Sequence, residues 1–313
     1  MFVVTGASGH LGHHITKHLL SVGYEVKLLT RQTVSFFERD TIMKIGHLTD
    51  EAFLKKEIER GDIVIHAAGF IDLYNKDKAQ SYESNVLITK MIAERCRYTG
   101  ARLVYISTTD IIKKDKTGYI EEPVELIEDN PSDYYASTKL EATKFVRDLI
   151  KQGLSGMILY PSAVIGPNDY KNGPISREIR SALKKNVLFS VKGGYNFIDA
   201  EDVAKATCEA ALKSYNDEFI LSGSNLSISD LYKRIVRITN QRKLVIYVPN
   251  MLARCIIPHM KQYSIKMLDV IQENHKYNNH KMKQYLIETL KPFDLTLSET
   301  IQFLRSKPIN APE

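Results

Sequence analysis

Phe2-Val3-Val4-Thr5-Gly6-Ala7-Ser8-Gly9-His10-Leu11-Gly12 is a short apolar run that passes directly into a turn with glycines at 6, 9 and 12. Beyond it, Leu11, Ile15 and Leu19 recur at four-residue spacing, while His14, Lys17, His18 and Ser21 fall on the other side. This order implies a buried strand, a glycine turn and an amphipathic helix. The first glycine permits a tight turn, the second lets backbone approach a pyrophosphate, and the third lets helix and strand pack closely. The helix N-terminus adds N–H donors and a positive dipole end. The stretch therefore predicts a dinucleotide site, because the strand–turn–helix context is present.

Working outward, Phe2–Val4, Glu25–Leu29, Ile63–His66 and Leu103–Ile106 read as short strands covered on both faces. Helical patterns lie among and after them at Leu11–Val22, Glu51–Glu59, Ser84–Tyr98 and Asp133–Lys151. Met157–Leu159 and Phe219–Leu221 extend the strand series. Alternation of this kind predicts an α/β fold, a Rossmann-type doubly wound parallel sheet. After Ser222 the pattern becomes helix-rich, at Ser229–Thr239, Pro249–Ile256, Tyr263–Asn274 and Leu295–Phe303. A dinucleotide-binding domain is expected over 1–165 plus about 193–222. A smaller, helix-rich C-terminal substrate domain is expected over about 166–192 plus 223–313. The cleft between them should face the carboxyl ends of the strands.

The 313 residues are 43% apolar and 26% charged, the balance of a globular protein, with no apolar run long enough to span a membrane. The start has no basic leader before an apolar core, so no secretory signal is read. Cys96, Cys208 and Cys255 are odd in number and far apart, as expected of reduced thiols in the cytoplasm. Net charge is +6, yet residues 231–293 alone hold twelve Lys and Arg against Asp269, Glu273 and Glu288. That asymmetry suggests an anionic partner or a solvated basic face. No aromatic-plus-basic spacing points to nucleic acid.

The second strand runs into Leu28-Leu29-Thr30-Arg31, and residues 28–37 contain no Asp or Glu. A carboxylate there would accept from an NAD ribose, whereas Arg31 pairs with a 2′-phosphate, so NADP(H) is expected to be preferred, with NAD(H) the alternative. Farther on, Pro131-Ser132-Asp133-Tyr134-Tyr135-Ala136-Ser137-Thr138-Lys139 reads as a helix start capped by Ser132 or Asp133. Tyr135 and Lys139 share one face a turn apart. Lowering a phenol by three units takes about 4 kcal/mol. An ammonium about 5 Å away supplies about 3 kcal/mol at an effective dielectric near 20. Leu103–Ile106 leads into Ser107 and Thr108, which places a hydroxyl at the sheet edge to align a substrate carbonyl.

These motifs resemble the extended branch of the short-chain dehydrogenase/reductase family along nearly the whole chain. The matching segments are TGASGHLG, HAAG at His66–Gly69, NVLITK at Asn85–Lys90, YISTT at Tyr105–Thr109 and YYASTK at Tyr134–Lys139. YPSAVIGPND at Tyr160–Asp169, GGYNFIDAEDVA at Gly193–Ala204 and FILSGSNLSISDL at Phe219–Leu231 follow. The chain looks most like the dihydroflavonol-reductase, 3β-hydroxysteroid-dehydrogenase and hopanoid-associated epimerase-like group.

The resemblance implies that Tyr135 is the general acid/base, that Lys139 holds nicotinamide ribose, and that Thr108, or alternatively Ser107, is the catalytic hydroxyl. It also implies cofactor contacts from Gly6, Ser8, Gly9, His10, Leu11, Gly12, Arg31, His47, Leu48, Ala67, Ala68, Gly69, Asn85, Pro161 and Ser162. The chain departs from relatives at Gly46-His47-Leu48, where they often have Gly-Asp-Leu, and at Leu159-Tyr160-Pro161, where they often have Leu-Arg-Pro. Ile111-Ile112-Lys113 stands where nucleotide-sugar enzymes often have Tyr-Gly, which weakens a sugar-nucleotide assignment.

Three functions are in play. The first is hydride transfer between NADP(H) and a carbonyl or secondary alcohol, with tyrosine as acid/base. The second is an NAD-recycling nucleotide-sugar epimerase or dehydratase, and the third is a non-catalytic NADP-binding sensor. The substrate is expected to be a small-molecule carbonyl or sugar nucleotide, and the resemblance implies a homodimer through the helices at Ser84–Tyr98 and Asp133–Lys151. His10, His13, His14 and His18 are read as a polar helix face rather than a metal site. Pro249–Met260 is read as a buried helix, with a pocket wall or membrane-surface contact as alternatives. Asp199 and Asp202 are read as stabilising a helix N-terminus.

Overall fold

The computed structural model describes residues 1–72, 75–114, 119–130, 133–259 and 265–306. Pro131 and Ser132 of the expected cap, Met260 and the start of the helix expected at Tyr263 lie outside the described residues. So do residues 115–118.

Short apolar runs buried on both faces become the middle of a sheet, because flanking helices then cover every side chain. Seven strands pair in the order Asp217–Leu221, Gly156–Pro161, Arg102–Ile106, Ile63–His66, Phe2–Thr5, Val26–Thr30, Ile42–Ile45. All six pairings are parallel. The expected strands are present, and Ile42–Ile45 joins them as an edge strand with partly exposed residues. The chain builds outward from Phe2–Thr5 in one direction, then returns to its other side at Ile63–His66. That reversal opens a crevice at the carboxyl ends, where Thr5 pairs with His66 and His66 with Tyr105.

Two apolar layers cover the sheet. Ile92, Ala93 and Cys96 of helix Ile88–Thr99 join Leu140 and Val146 of helix Tyr134–Lys151 on one face. On the other, Ile15 and Leu19 of helix His10–Ser21 pack with Val203, Ala206 and Ala210 of helix Ala200–Leu212. The small side chains of the latter helix let the two approach closely.

A third cluster, including Ile165, Ile179, Phe197, Leu231, Ile235 and Leu297, lies among helices Pro174–Lys184, Ile228–Thr239 and Phe293–Ser306. A three-stranded sheet of Ala163–Ile165, Gly194–Asp199 and Ser224–Ser227 backs it. Farther along, Met282 and Leu286 pack into the main sheet's core.

Two expectations change. Helix Asn250–Ile256 is not buried: only Ala253 is, while Met251 is 85% exposed and Leu252 and Ile256 are also exposed. Its seven residues give too short a stripe to seat against the cluster beside it. The basic stretch is also less available than its charge suggests. Arg234 and Arg237 both pair with Asp294, Arg254 with Asp269, and Lys281 with Asp217. Lys291 pairs with Glu201 and Glu299, and Lys243 donates to the Leu183 and Lys185 carbonyls. No helix among the described residues is long and apolar enough to cross a membrane.

Candidate active site

The glycine turn sits at the crevice. Gly6 has φ +79°, and a Cβ on it would stand 2.6 Å from the Ala68 nitrogen. A Cβ on Gly12 would stand 2.1 Å from the Gly6 carbonyl oxygen, so the turn closes only with glycine at both positions. Gly9 is extended and caps helix His10–Ser21 without a side chain, and no acidic residue occupies the first turn. Ser8 is exposed beside it, while Leu11 is partly buried against the sheet. This bare helix start, with backbone N–H groups and no internal anion, fits a dinucleotide's diphosphate.

Beside the turn lies a buried chain of hydrogen bonds whose direction is fixed by its ends. The Thr89 hydroxyl donates to the Asn85 carbonyl at 2.8 Å, so it accepts from His66 Nε2 at 3.0 Å. His66 Nδ1 therefore accepts from the Thr5 hydroxyl at 2.7 Å, and the Ala68 N–H approaches that same hydroxyl at 3.4 Å. Burial lowers the imidazole to about 3, and Lys139 pushes it the same way. In the sequence His66 ends the apolar run Ile63–His66 and opens HAAG without a role of its own, although a lone imidazole closing such a run is a usable signal. Ala67 and Ala68 face the turn through their backbone, and Gly69 is exposed.

Asn85 braces that loop. Its amide accepts from the Phe70 N–H at 2.8 Å and donates to the Phe70 carbonyl at 2.9 Å and to Thr138 at 3.1 Å. It sits in a wide π turn, Glu83–Leu87, set between the helical stretches Lys78–Tyr82 and Ile88–Thr99, where the helix expected at Ser84–Tyr98 runs.

On the other side of the crevice, Asp133 caps helix Tyr134–Lys151 by accepting from the Ala136 N–H at 3.1 Å. Tyr135 and Lys139 follow on its buried face, 8% and 5% exposed. Thr108, just past strand Arg102–Ile106, lies beside the Tyr135 phenol and pulls its pKa down, and its hydroxyl accepts from the Asp110 N–H at 3.2 Å. Ser107 instead bonds Thr143 at 2.8 Å, beneath the helix. Of the two hydroxyls, the structure brings Thr108 to the tyrosine.

The expected lowering of Tyr135 by Lys139 does not appear. Burial, then the Asp110 carboxylate and Tyr105, hold the phenol well above the usual tyrosine range, against the pull of Thr108. Lys139 Nζ donates to the Ile106 carbonyl at 2.8 Å and lies 4.6 Å from the Tyr105 ring centre. Sharing a helical face did not aim the ammonium at the phenol.

The remaining candidates spread along the edge. Arg31 is exposed at the end of strand Val26–Thr30, and His47 is exposed while Leu48 is buried. Pro161 ends its strand, and the Ser162 hydroxyl is engaged by Asn196 at 2.6 Å.

The histidines require a correction. His13 and His14 do not form a polar face: both are buried, His14 to 2% exposure. Residues 167–170 cover that side of the helix, and the Pro167 carbonyl, which can only accept, takes bonds from His10 Nε2 and His14 Nε2, both at 2.9 Å. His13 lies among the rings of Phe36, Phe37 and Tyr170. Burial lowers His13 and His14 to about 4. Among the described residues no three His, Cys, Asp or Glu are grouped to hold a metal ion. Asp199 caps helix Ala200–Leu212 by accepting from the Glu201 N–H, and Asp202 in its first turn accepts from the Lys291 N–H at 2.8 Å.

Residues 2–219 match the model of the NAD dependent epimerase/dehydratase family. Sterol demethylase protein B of Methylococcus capsulatus is 24% identical over 79% of this chain and 77% of its own length. A Synechocystis protein whose name proposes a dihydroflavonol 4-reductase is 29% identical over 76% of this chain and 72% of its own. The UDP-glucuronic acid 4-epimerase of Bacillus cereus, solved with UDP-glucuronic acid and NAD, shares the fold at a TM-score of 0.77. It is 18% identical, with 97% of this chain and 99% of that one covered. The chain is an enzyme of the NAD-dependent epimerase/dehydratase family, within the extended short-chain dehydrogenase/reductases.

Proposed function

We propose that this enzyme transfers hydride reversibly between NADP(H) and a carbonyl or secondary alcohol, with Tyr135 exchanging the proton at the substrate oxygen. The observation that carries the proposal is the Tyr135–Thr108 hydroxyl pair, set across the crevice from a glycine turn shaped for a diphosphate. The nicotinamide, when bound, supplies or accepts the hydride.

The chain's own groups do the rest. Tyr135 is neutral in its buried setting, the state needed to protonate a carbonyl oxygen during reduction. Thr108 holds that oxygen in line with the phenol. Lys139 uses one of its three N–H donors on Ile106, and the others would be available to a ribose hydroxyl of the cofactor. Exposed Arg31, with no acidic side chain in 28–37, supports NADP(H) over NAD(H).

The substrate-binding part is proposed as 166–192 plus 223–313, whose helices build the third apolar cluster. Relatives named for sterol and dihydroflavonol chemistry favour a ring ketone or alcohol as substrate. The internal pairing of the basic stretch weakens the case for an anionic one. A cytoplasmic homodimer is proposed from the free thiols and from helix Ile88–Thr99, which exposes Tyr98.

The second reading, an NAD-recycling sugar-nucleotide epimerase or dehydratase, draws on the full-length likeness to the Bacillus cereus enzyme. It requires cofactor retained through purification and no net NADPH consumption. The sensor reading leaves the Tyr135, Thr108 and Lys139 grouping without a purpose.

The test is NADPH oxidation against aldehydes, ketones and UDP- or dTDP-sugars, with Tyr135→Phe alongside. The variant should bind cofactor and lose about a thousandfold or more in kcat. Retained turnover in the variant removes the mechanism, and binding without turnover across the panel restores the sensor.

A further inference from the structure

The segment Gly166–Gly173 crosses the glycine turn as a strap and is pinned along its length. Two imidazoles of the glycine helix hold the Pro167 carbonyl, and Tyr170 stacks on Phe36 with ring centres 4.5 Å apart. Phe303 packs edge-on against Tyr170 at 5.3 Å. Asp169, itself buried, accepts from the Gly173 N–H at 2.7 Å and closes the turn in which Lys171 sits. The strap brings the exposed Lys171 to the glycine turn, where its Nζ donates to Ser8 Oγ at 3.3 Å.

The N-terminus of helix His10–Ser21 carries the positive end of the helix dipole, and its own first turn has no acidic side chain; the carboxylates acting on His10 are Asp169 of the strap and Asp199. A rigid strap that delivers a lysine to a positive helix end makes physical sense when an anion lies between them. The glycine turn is shaped for such an anion, and Ser8 marks the spot. We propose that Lys171 is a ligand of the cofactor's diphosphate, clamping it from the side opposite the helix N-terminus. This rests on the dinucleotide reading of the turn. It adds a charged contact from outside the glycine motif, so that the substrate-binding part of the chain takes part in holding the cofactor.

NADPH and NADH share the diphosphate, so the contact must serve both equally, unlike one to the 2′-phosphate. The chain has no tryptophan, so binding is read from the emission of the reduced nicotinamide, with calorimetry as a check. Lys171→Met should raise the Kd of NADPH and NADH by the same factor, about tenfold at low salt. The difference should shrink to about twofold at about 0.5 M salt, since an exposed ion contact is screened. Lys171→Arg should bind within about threefold of the parent, because the charge is kept. An unchanged Kd for both cofactors in Lys171→Met overturns the proposal, and so does a loss confined to NADPH. A parent protein that binds neither dinucleotide sinks the cofactor reading itself, which is a different result from an unchanged Kd.

Discussion

Two groups of buried polar side chains flank the crevice, and they use their bonding capacity differently. On the glycine-helix flank, His10 and His14 direct Nε2 protons at one protein carbonyl, and His66 is bonded at both nitrogens. On the tyrosine flank, Tyr135 meets Thr108 and Lys139 uses a single donor. Buried polar groups are costly unless bonded. His10, His14 and His66 meet that demand inside the protein and so act as structure, whereas buried His13 leaves its Nδ1 without a hydrogen bond. The tyrosine flank leaves hydroxyl and ammonium capacity unused within the protein, as the proposed proton exchange at Tyr135 requires.

If the imidazoles are braces, acid should release them. Folded His14 is held near 4 by burial, against an ordinary value of 6.5, so below 6.5 the unfolded chain takes up protons that the folded chain refuses. Stability is therefore whole above about pH 6.5, falls as pH drops towards 4, and levels off beneath it. His14 alone contributes about 3 kcal/mol of that loss, and His13 and His66 act in the same direction. His14→Gln keeps an N–H donor for Pro167 and removes the titration, so its urea-unfolding free energy should decline less steeply between pH 6.5 and 4.5. An identical slope in parent and variant would mean the ring is solvated, and the flank would lose its structural role.

The braces also mark where reading the sequence stopped working. Periodicity gave the glycine helix and its sheet-facing Ile15 and Leu19, since sheet contact repeats with the helix turn. It sent His14 to solvent because the covering segment, 167–170, lies more than a hundred and fifty residues away, and no local pattern announces it. Strand Ile42–Ile45 was hidden for the opposite reason. It has only four residues, and as an edge strand they are exposed or half-buried, so they form no run covered on both faces. The Tyr135–Lys139 spacing placed both residues on the right face, yet the direction of the lysine is set by the Ile106 carbonyl on a strand thirty-three residues earlier.

The tyrosine flank can be tested by its own titration. A phenol held above the usual range is protonated throughout neutral pH, so carbonyl reduction should be level from about pH 6 to 9. Alcohol oxidation needs the phenolate and should rise about tenfold per pH unit over the same span. A plateau in oxidation by about pH 8 would mean that cofactor and Lys139 together pull the phenol down when the site fills, reversing the order that burial imposes. Measuring kcat/KM in both directions with one substrate pair separates the two cases.

The smallest effect belongs to Arg31, outside both flanks at the end of the second strand. Its guanidinium is exposed, so any pairing with a 2′-phosphate occurs in water and is screened. Exposed ion pairs contribute up to about 1 kcal/mol, or about fivefold in binding. Arg31→Ala should therefore raise the NADPH Kd about fivefold and leave NADH unchanged, whereas loss at the diphosphate would weaken both together. Equal weakening of the two cofactors would remove Arg31 as the discriminating group. It would leave preference to the shape of the loop at Gly46-His47-Leu48, where the usual aspartate, which would repel a phosphate, is replaced by exposed His47.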